Sequence, residues 1–150
     1  MRLLETLLLT GAAVGLVTPI LPARAEDGYK FNLVLSHKNV SHDPDGVWKD
    51  DDLFEFGNPP RLPSIYTAHL TTPAGEWFLS QLDSTCNIQG NCSFVLQLKK
   101  PDGKTNAMAE GQTLLGRTAT LSLNYKKITT EELSDDIKPF TGSYDVEPIR

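Results

Sequence analysis

The chain has 150 residues, with 14 basic and 19 acidic side chains, two cysteines and ten prolines. Its net charge of −5 makes polyanionic phosphate backbones poor partners, so nucleic acid is excluded as an expected ligand. The length supports one ordinary hydrophobic core, and neither an internal repeat nor a low-complexity tract points to a second unit.

The first predicted element is an export signal over residues 1–25. Arg2 opens it, and the fifteen-residue run 7–21 is largely apolar. Pro22 breaks any helix just before the small-x-small site Ala23-Arg24-Ala25. A membrane-spanning helix needs roughly twenty apolar residues, so the run predicts cleavage after Ala25 rather than a lasting anchor. The expected product is a periplasmic or secreted domain, residues 26–150, with 12 basic and 18 acidic side chains and a net charge of −6.

Next comes a period-two pattern. Tyr29, Phe31, Leu33 and Leu35 alternate with Lys30, Asn32, Val34 and Ser36, which places one face of a strand in a core. The following connection carries His37, His42, Asp43 and Asp45, then Asp50-Asp51-Asp52. His37, His42 and Asp43 form a candidate divalent-metal set, because imidazole and carboxylate are ligands such ions accept. Asp43-Pro44-Asp45-Gly46 is equally ordinary turn chemistry. Residues 47–63 interleave Trp48, Leu53, Phe54 and Phe56 with charges and prolines, a mixture that fits neither a strand nor a helix. Trp48, Phe54 and Phe56 are candidate anchors for a protein partner; the alternative is that the segment folds back and covers one end of the sandwich.

Residues 64–70 and 77–82 are shorter strand candidates, joined by the turn Thr72-Pro73-Ala74-Gly75. His69, alone on the first, reads as structural. Cys86 and Cys92 follow, with five residues between them. In an oxidising compartment they are expected to form a disulfide rather than to bind metal or act as nucleophiles, and the spacing is not that of a redox Cys-x-x-Cys pair. A ring this small stabilises by about 2 kcal/mol in the chain-entropy view. It therefore suits local stiffening, which makes Asn87, Ile88, Gln89 and Asn91 candidate partner contacts; a decorated hairpin turn without a partner is the plainer reading.

Phe94, Leu96 and Leu98 define another strand, ended by the turn Lys100-Pro101-Asp102-Gly103. Ala119, Leu121, Leu123 and Tyr125 alternate with Thr118, Thr120, Ser122 and Asn124. Thr129 and Glu132 have capping-box spacing, predicting a short helix that Pro139 stops, before a closing strand over 141–146. The expected fold is all-β: an antiparallel β-sandwich or small barrel of about 6–8 strands with one short C-terminal helix.

The Cys86–Cys92 loop on an exported β domain resembles the inhibitory loop of periplasmic lysozyme inhibitors of the Ivy type. In that family the loop carries a histidine that enters the enzyme's cleft. Here no histidine lies between the cysteines and their spacing is longer. The likeness covers seven of 150 residues and implies a mode of action, not a family.

Neither a Gly-x-Ser-x-Gly elbow nor a glycine-rich phosphate loop is present, so an enzyme is not expected. The sequons Asn39-Val40-Ser41 and Asn91-Cys92-Ser93 matter only in a eukaryotic secretory route. The expected function is a binding module that contacts another protein, as an inhibitor of a cell-wall hydrolase or a toxin immunity protein does. The alternative is a periplasmic metal-binding domain using His37, His42 and Asp43; no other cofactor is expected.

Overall fold

Period-two alternation is carried through into nine strands in a computed structural model that describes residues 28–150. The expected signal and its cleavage after Ala25 lie outside the described residues. The strands are β1 Gly28–Asn32, β2 Val34–His37, β3 Ile65–Thr72, β4 Gly75–Leu82, β5 Asn91–Lys99, β6 Thr105–Leu114, β7 Thr118–Ser122, β8 Lys127–Leu133 and β9 Pro139–Asp145. They form two antiparallel sheets, β1-β7-β8-β9 and β2-β3-β4-β5-β6, stacked as a sandwich. The main core lies between them and contains Phe31, Leu33, Trp77, Leu79, Phe94, Leu96, Leu98, Ala119, Leu121 and Ile128. Burial of such side chains is the principal favourable term in folding.

Two of the expected core residues, Leu35 and Leu123, are exposed. The chain changes sheets at Leu33, since β1 pairs with β7 and β2 with β3. This change of direction breaks the pleat alternation, so Leu35 faces outward. Leu123 falls one residue beyond the end of β7. The opposite flank is closed similarly. After β9 the chain crosses to β6, where Glu147 N–H donates to Met108 O at 2.8 Å and Ile149 N–H to Ala107 O at 2.9 Å. Single segments therefore stitch both flanks, protecting strand edges that would otherwise offer unpaired donors and acceptors.

Both proline turns form where expected. Pro73 and Ala74 join β3 to β4, and residues 100–104 join β5 to β6. Gly75 has φ +136°, and a Cβ there would lie 2.4 Å from Lys99 O, so the first hairpin requires glycine at this position.

The predicted C-terminal helix is absent; its residues form β8 and the turn after it. Ile128, Thr130 and Glu132 face inward, while Lys127, Thr129 and Glu131 face out, which is strand rather than helix periodicity. A Thr-x-x-Glu signature satisfies only two orphan donors. Pairing with β7 on one side and β9 on the other satisfies a whole ladder, and that larger gain decides the outcome. The helical turns among the described residues are two short 3₁₀ turns, Asp50–Asp52 and Asp83–Thr85.

Glu132 is thereby placed inside the sandwich. Its Oε1 accepts hydrogen bonds from Tyr144 OH at 2.6 Å and Thr130 Oγ1 at 2.9 Å. Gly142, opposite Thr130, leaves the room it needs. Burial first, and then the bond to Glu132, push the Tyr144 hydroxyl up from 10.0 to about 12. Because the folded state holds this proton more tightly, the stabilisation is full below pH 10 and lost as pH rises through 12. Tyr144→Phe leaves the carboxylate short of a donor and is expected to lower stability by about 1.5–3 kcal/mol near neutral pH. Urea midpoints measured between pH 8 and 12 should show the wild-type advantage over this variant shrinking above pH 10.

Candidate functional site

The 86–92 loop is built from the disulfide inward. Cys92 is fully buried at the start of β5, and its bridge to Cys86 closes the ring. Asn87 organises the tip: its Oδ1 accepts from Gln89 N–H at 3.1 Å and Asn91 N–H at 2.9 Å. Its own backbone N–H donates to Asn91 O at 2.8 Å, and its carbonyl accepts from Gly90 N–H at 3.0 Å. Gly90, at φ +91°, supplies the left-handed residue that completes the turn.

The four candidate contacts therefore divide. Asn87 is scaffold. Asn91 is buried, donating Nδ2–H to Leu133 O at 2.7 Å and accepting from Leu133 N–H at 2.9 Å. Gln89 reaches Asp135 Oδ1 at 3.3 Å. Ile88 is 97% exposed and makes none of these bonds, so it is the side chain the loop presents. The disulfide itself is a bond that oxidising, extracytoplasmic surroundings maintain. Among the described residues no helix is long and apolar enough to cross a membrane.

The 47–63 segment folds back, as the alternative reading of its sequence anticipates. Leu53 is buried with Ile65 and Leu82, and Val40 and Trp48 pack against them as a second, smaller core on the outer face of the five-stranded sheet. The Trp48 indole N–H donates to Ser80 Oγ at 2.8 Å. Phe56 lies under the Arg61 guanidinium, 4.3 Å from the ring centroid. Arg61 in turn reaches the buried Asp83 carboxylate at 2.9 Å, whose other oxygen accepts from Ser64 N–H at 2.8 Å. Trp48 and Phe56 are thus committed to structure, while Phe54 remains 60% exposed.

The expected metal set is regrouped. Asp43 is 1% exposed and its carboxylate accepts three backbone N–H groups, from Asp45, Val47 and Trp48, at 2.9, 2.9 and 3.0 Å. That is the work of a loop organiser. His37 Nε2 lies 2.7 Å from Asp45 Oδ2, and ligand atoms of His37, Asp43 and Asp45 all fall within 4.8 Å of one another. His42 points elsewhere, pairing with Asp50 at 2.9 Å on the surface. Asp45, not His42, completes the trio that could hold an ion. His69 is an exposed residue whose ring tilts against Phe78 at 4.5 Å. Of the two sequons, only Asn39 is exposed, since the Asn91 amide is buried.

Ile137, at the tip of the turn between β8 and β9, was missed in the sequence because that stretch reads as helix. The turn closes with Ile137 N–H donating to Ser134 O at 2.8 Å and Ser134 N–H to Lys138 O at 3.0 Å. Ile137 is 71% exposed. The run Ser134-Asp135-Asp136, good turn chemistry, was the signal available.

No known family model, curated protein or solved structure matches the chain.

Asn91→Ala removes both bonds to Leu133 and leaves partly buried backbone groups without these partners. It is expected to cost about 1–3 kcal/mol in urea unfolding. Ile88→Ala, by contrast, is expected to change stability by no more than about 0.5 kcal/mol.

Proposed function

We propose that the chain is an exported, non-enzymatic binding module that works by placing the 86–92 loop against a concave site on another protein. The signal reading makes it periplasmic or secreted after cleavage following Ala25. The observation that carries this reading is Ile88: a large aliphatic side chain, 97% exposed, on a loop closed by a disulfide and by the Asn87 and Asn91 hydrogen bonds. A single exposed apolar residue is ordinary on a protein surface. One held rigidly at the tip of a protrusion is different, because little conformational entropy remains to be lost when a partner buries it. An inhibitor of a cell-wall hydrolase or an immunity protein against a delivered toxin is a binding module that acts through protein-protein contact. The likeness to the loop of Ivy-type lysozyme inhibitors supports the first of these as the mode of action.

The test compares wild type and Ile88→Asp as immobilised baits for envelope proteins of the exporting cell. A partner retained by wild type is expected to be lost roughly tenfold or more with the variant, as for a central interface anchor. The melting temperature should stay within about 2 °C. A set of bound proteins that is the same for both baits would overturn the loop reading.

A second reading, metal binding, is favoured by the proximity of His37, Asp43 and Asp45. Titration calorimetry with Zn²⁺, Cu²⁺ and Ca²⁺ should then give a heat of binding that Asp45→Ala abolishes. Heat no greater than dilution for all three ions removes this reading.

A further inference from the structure

Two turns in this fold use the same geometry with opposite consequences. Between β7 and β8, Tyr125 N–H donates to Ser122 O at 2.9 Å, and Tyr125 has φ +59°. Between β8 and β9, Ile137 N–H donates to Ser134 O at 2.8 Å, and Ile137 also has φ +59°. This left-handed position in a short hairpin loop is the one glycine or asparagine normally fills. Tyr125 has an internal compensation, since its ring stacks on Trp77 at 5.6 Å and on Tyr29 at 5.8 Å. Ile137 has none of that kind. It is β-branched, the residue class least suited to positive φ, and 71% of it faces solvent. Strain held at an exposed position, with no packing that explains it, points to use by something outside the chain.

The position of this turn adds a second, independent observation. It lies beside the 86–92 loop and is tied to it by three hydrogen bonds. Asn91 makes two with Leu133 at 2.7 and 2.9 Å, and Gln89 makes one with Asp135 at 3.3 Å. Two isoleucines, Ile88 and Ile137, therefore stand exposed on neighbouring turns whose relative placement is locked. Leu115, also exposed, adjoins the 86–92 loop, its N–H donating to Gly90 O at 3.2 Å.

We infer that Ile88 and Ile137 are paired anchors of one binding surface at this end of the sandwich, and that its occupant is a protein offering an apolar cleft that admits both turns. The inference rests on the loop reading above and extends it to a second hairpin. Prearranged anchors fit a protein cleft because no loop has to be ordered on contact. A lipid surface is the other home for exposed aliphatic tips, but the charge here disfavours it. Asp135 and Asp136 precede Ile137, Lys138 on its other side is held by Asp136 at 2.8 Å, and residues 26–150 carry a net charge of −6, which anionic headgroups repel.

The test places a benzophenone amino acid, itself apolar, at position 88, at position 137, or at position 120 on the outer face of β7, in the full chain in the exporting cell. After irradiation, the same single protein should be crosslinked from 88 and 137 and not from 120. An adduct from 88 alone overturns the paired surface and leaves the loop reading intact. Adducts from neither position, or only between copies of this chain, overturn both. Purified protein is also mixed with phosphatidylcholine and phosphatidylglycerol vesicles; sedimentation with either that Ile88→Asp and Ile137→Asp abolish would overturn the choice of a protein. Ile137→Gly separates function from structure. It relieves the strained backbone but also loosens the unfolded chain, so the melting temperature should hold or rise by up to about 5 °C, while the variant competes away the wild-type crosslink at least tenfold less well than the wild-type chain does. A lower melting temperature would make Ile137 a structural residue and end the proposal.

Discussion

The side chain of Asn91 links the two sheets where the candidate surface is built. It belongs to β5 of the five-stranded sheet, and its amide satisfies both backbone groups of Leu133, the last residue of β8 in the four-stranded sheet. A buried amide that donates and accepts at once leaves no group unpaired, which is the condition for a polar contact to be tolerated in an interior. The next residue, Cys92, closes the disulfide. One dipeptide thus holds the base of the 86–92 loop and sets its distance from the β8–β9 turn.

The same economy governs the other buried polar groups. Asp43 gathers three backbone N–H groups of the loop that follows it. Asp83 joins Ser64 N–H to the Arg61 guanidinium. Glu132 accepts two hydroxyls within the sandwich. Each carboxylate is buried beside donors that offset its desolvation, and each fixes a connection or strand end that alternation alone would leave undefined.

These constraints separate two kinds of large apolar residue. Trp48 and Phe56, aromatic and conspicuous in the sequence, are spent on internal contacts, Trp48 covering the outer face of the five-stranded sheet and Phe56 stacking under Arg61. Ile88 and Ile137, inconspicuous in the sequence, are left at the tips of rigid turns. Rigidity without burial reduces the entropy a complex would cost, and this is the physical basis of the proposal that places a binding surface on these turns.

Much of the fold is legible in the sequence because a strand's side-chain period is local. Phe31, Phe94, Leu96, Leu98, Ala119 and Leu121 alternate with polar neighbours, and all are buried. The proline-glycine turns and the small cysteine ring are local as well, and they appear where their chemistry requires. What local pattern could not decide is anything settled by a distant neighbour. Residues 127–133 form a strand because β7 and β9 flank them, overriding a helix-cap signal; Leu35 faces out because the chain changes sheets at Leu33. His42 parts from His37, and Asp45 takes its place, through side-chain directions within one loop. The sequence by itself determined an all-β chain with a clasped loop, since alternation and turn chemistry act over a few residues. Only the tertiary structure decided that this loop stands beside Ile137, because the two are joined by hydrogen bonds between residues 42 apart in the chain.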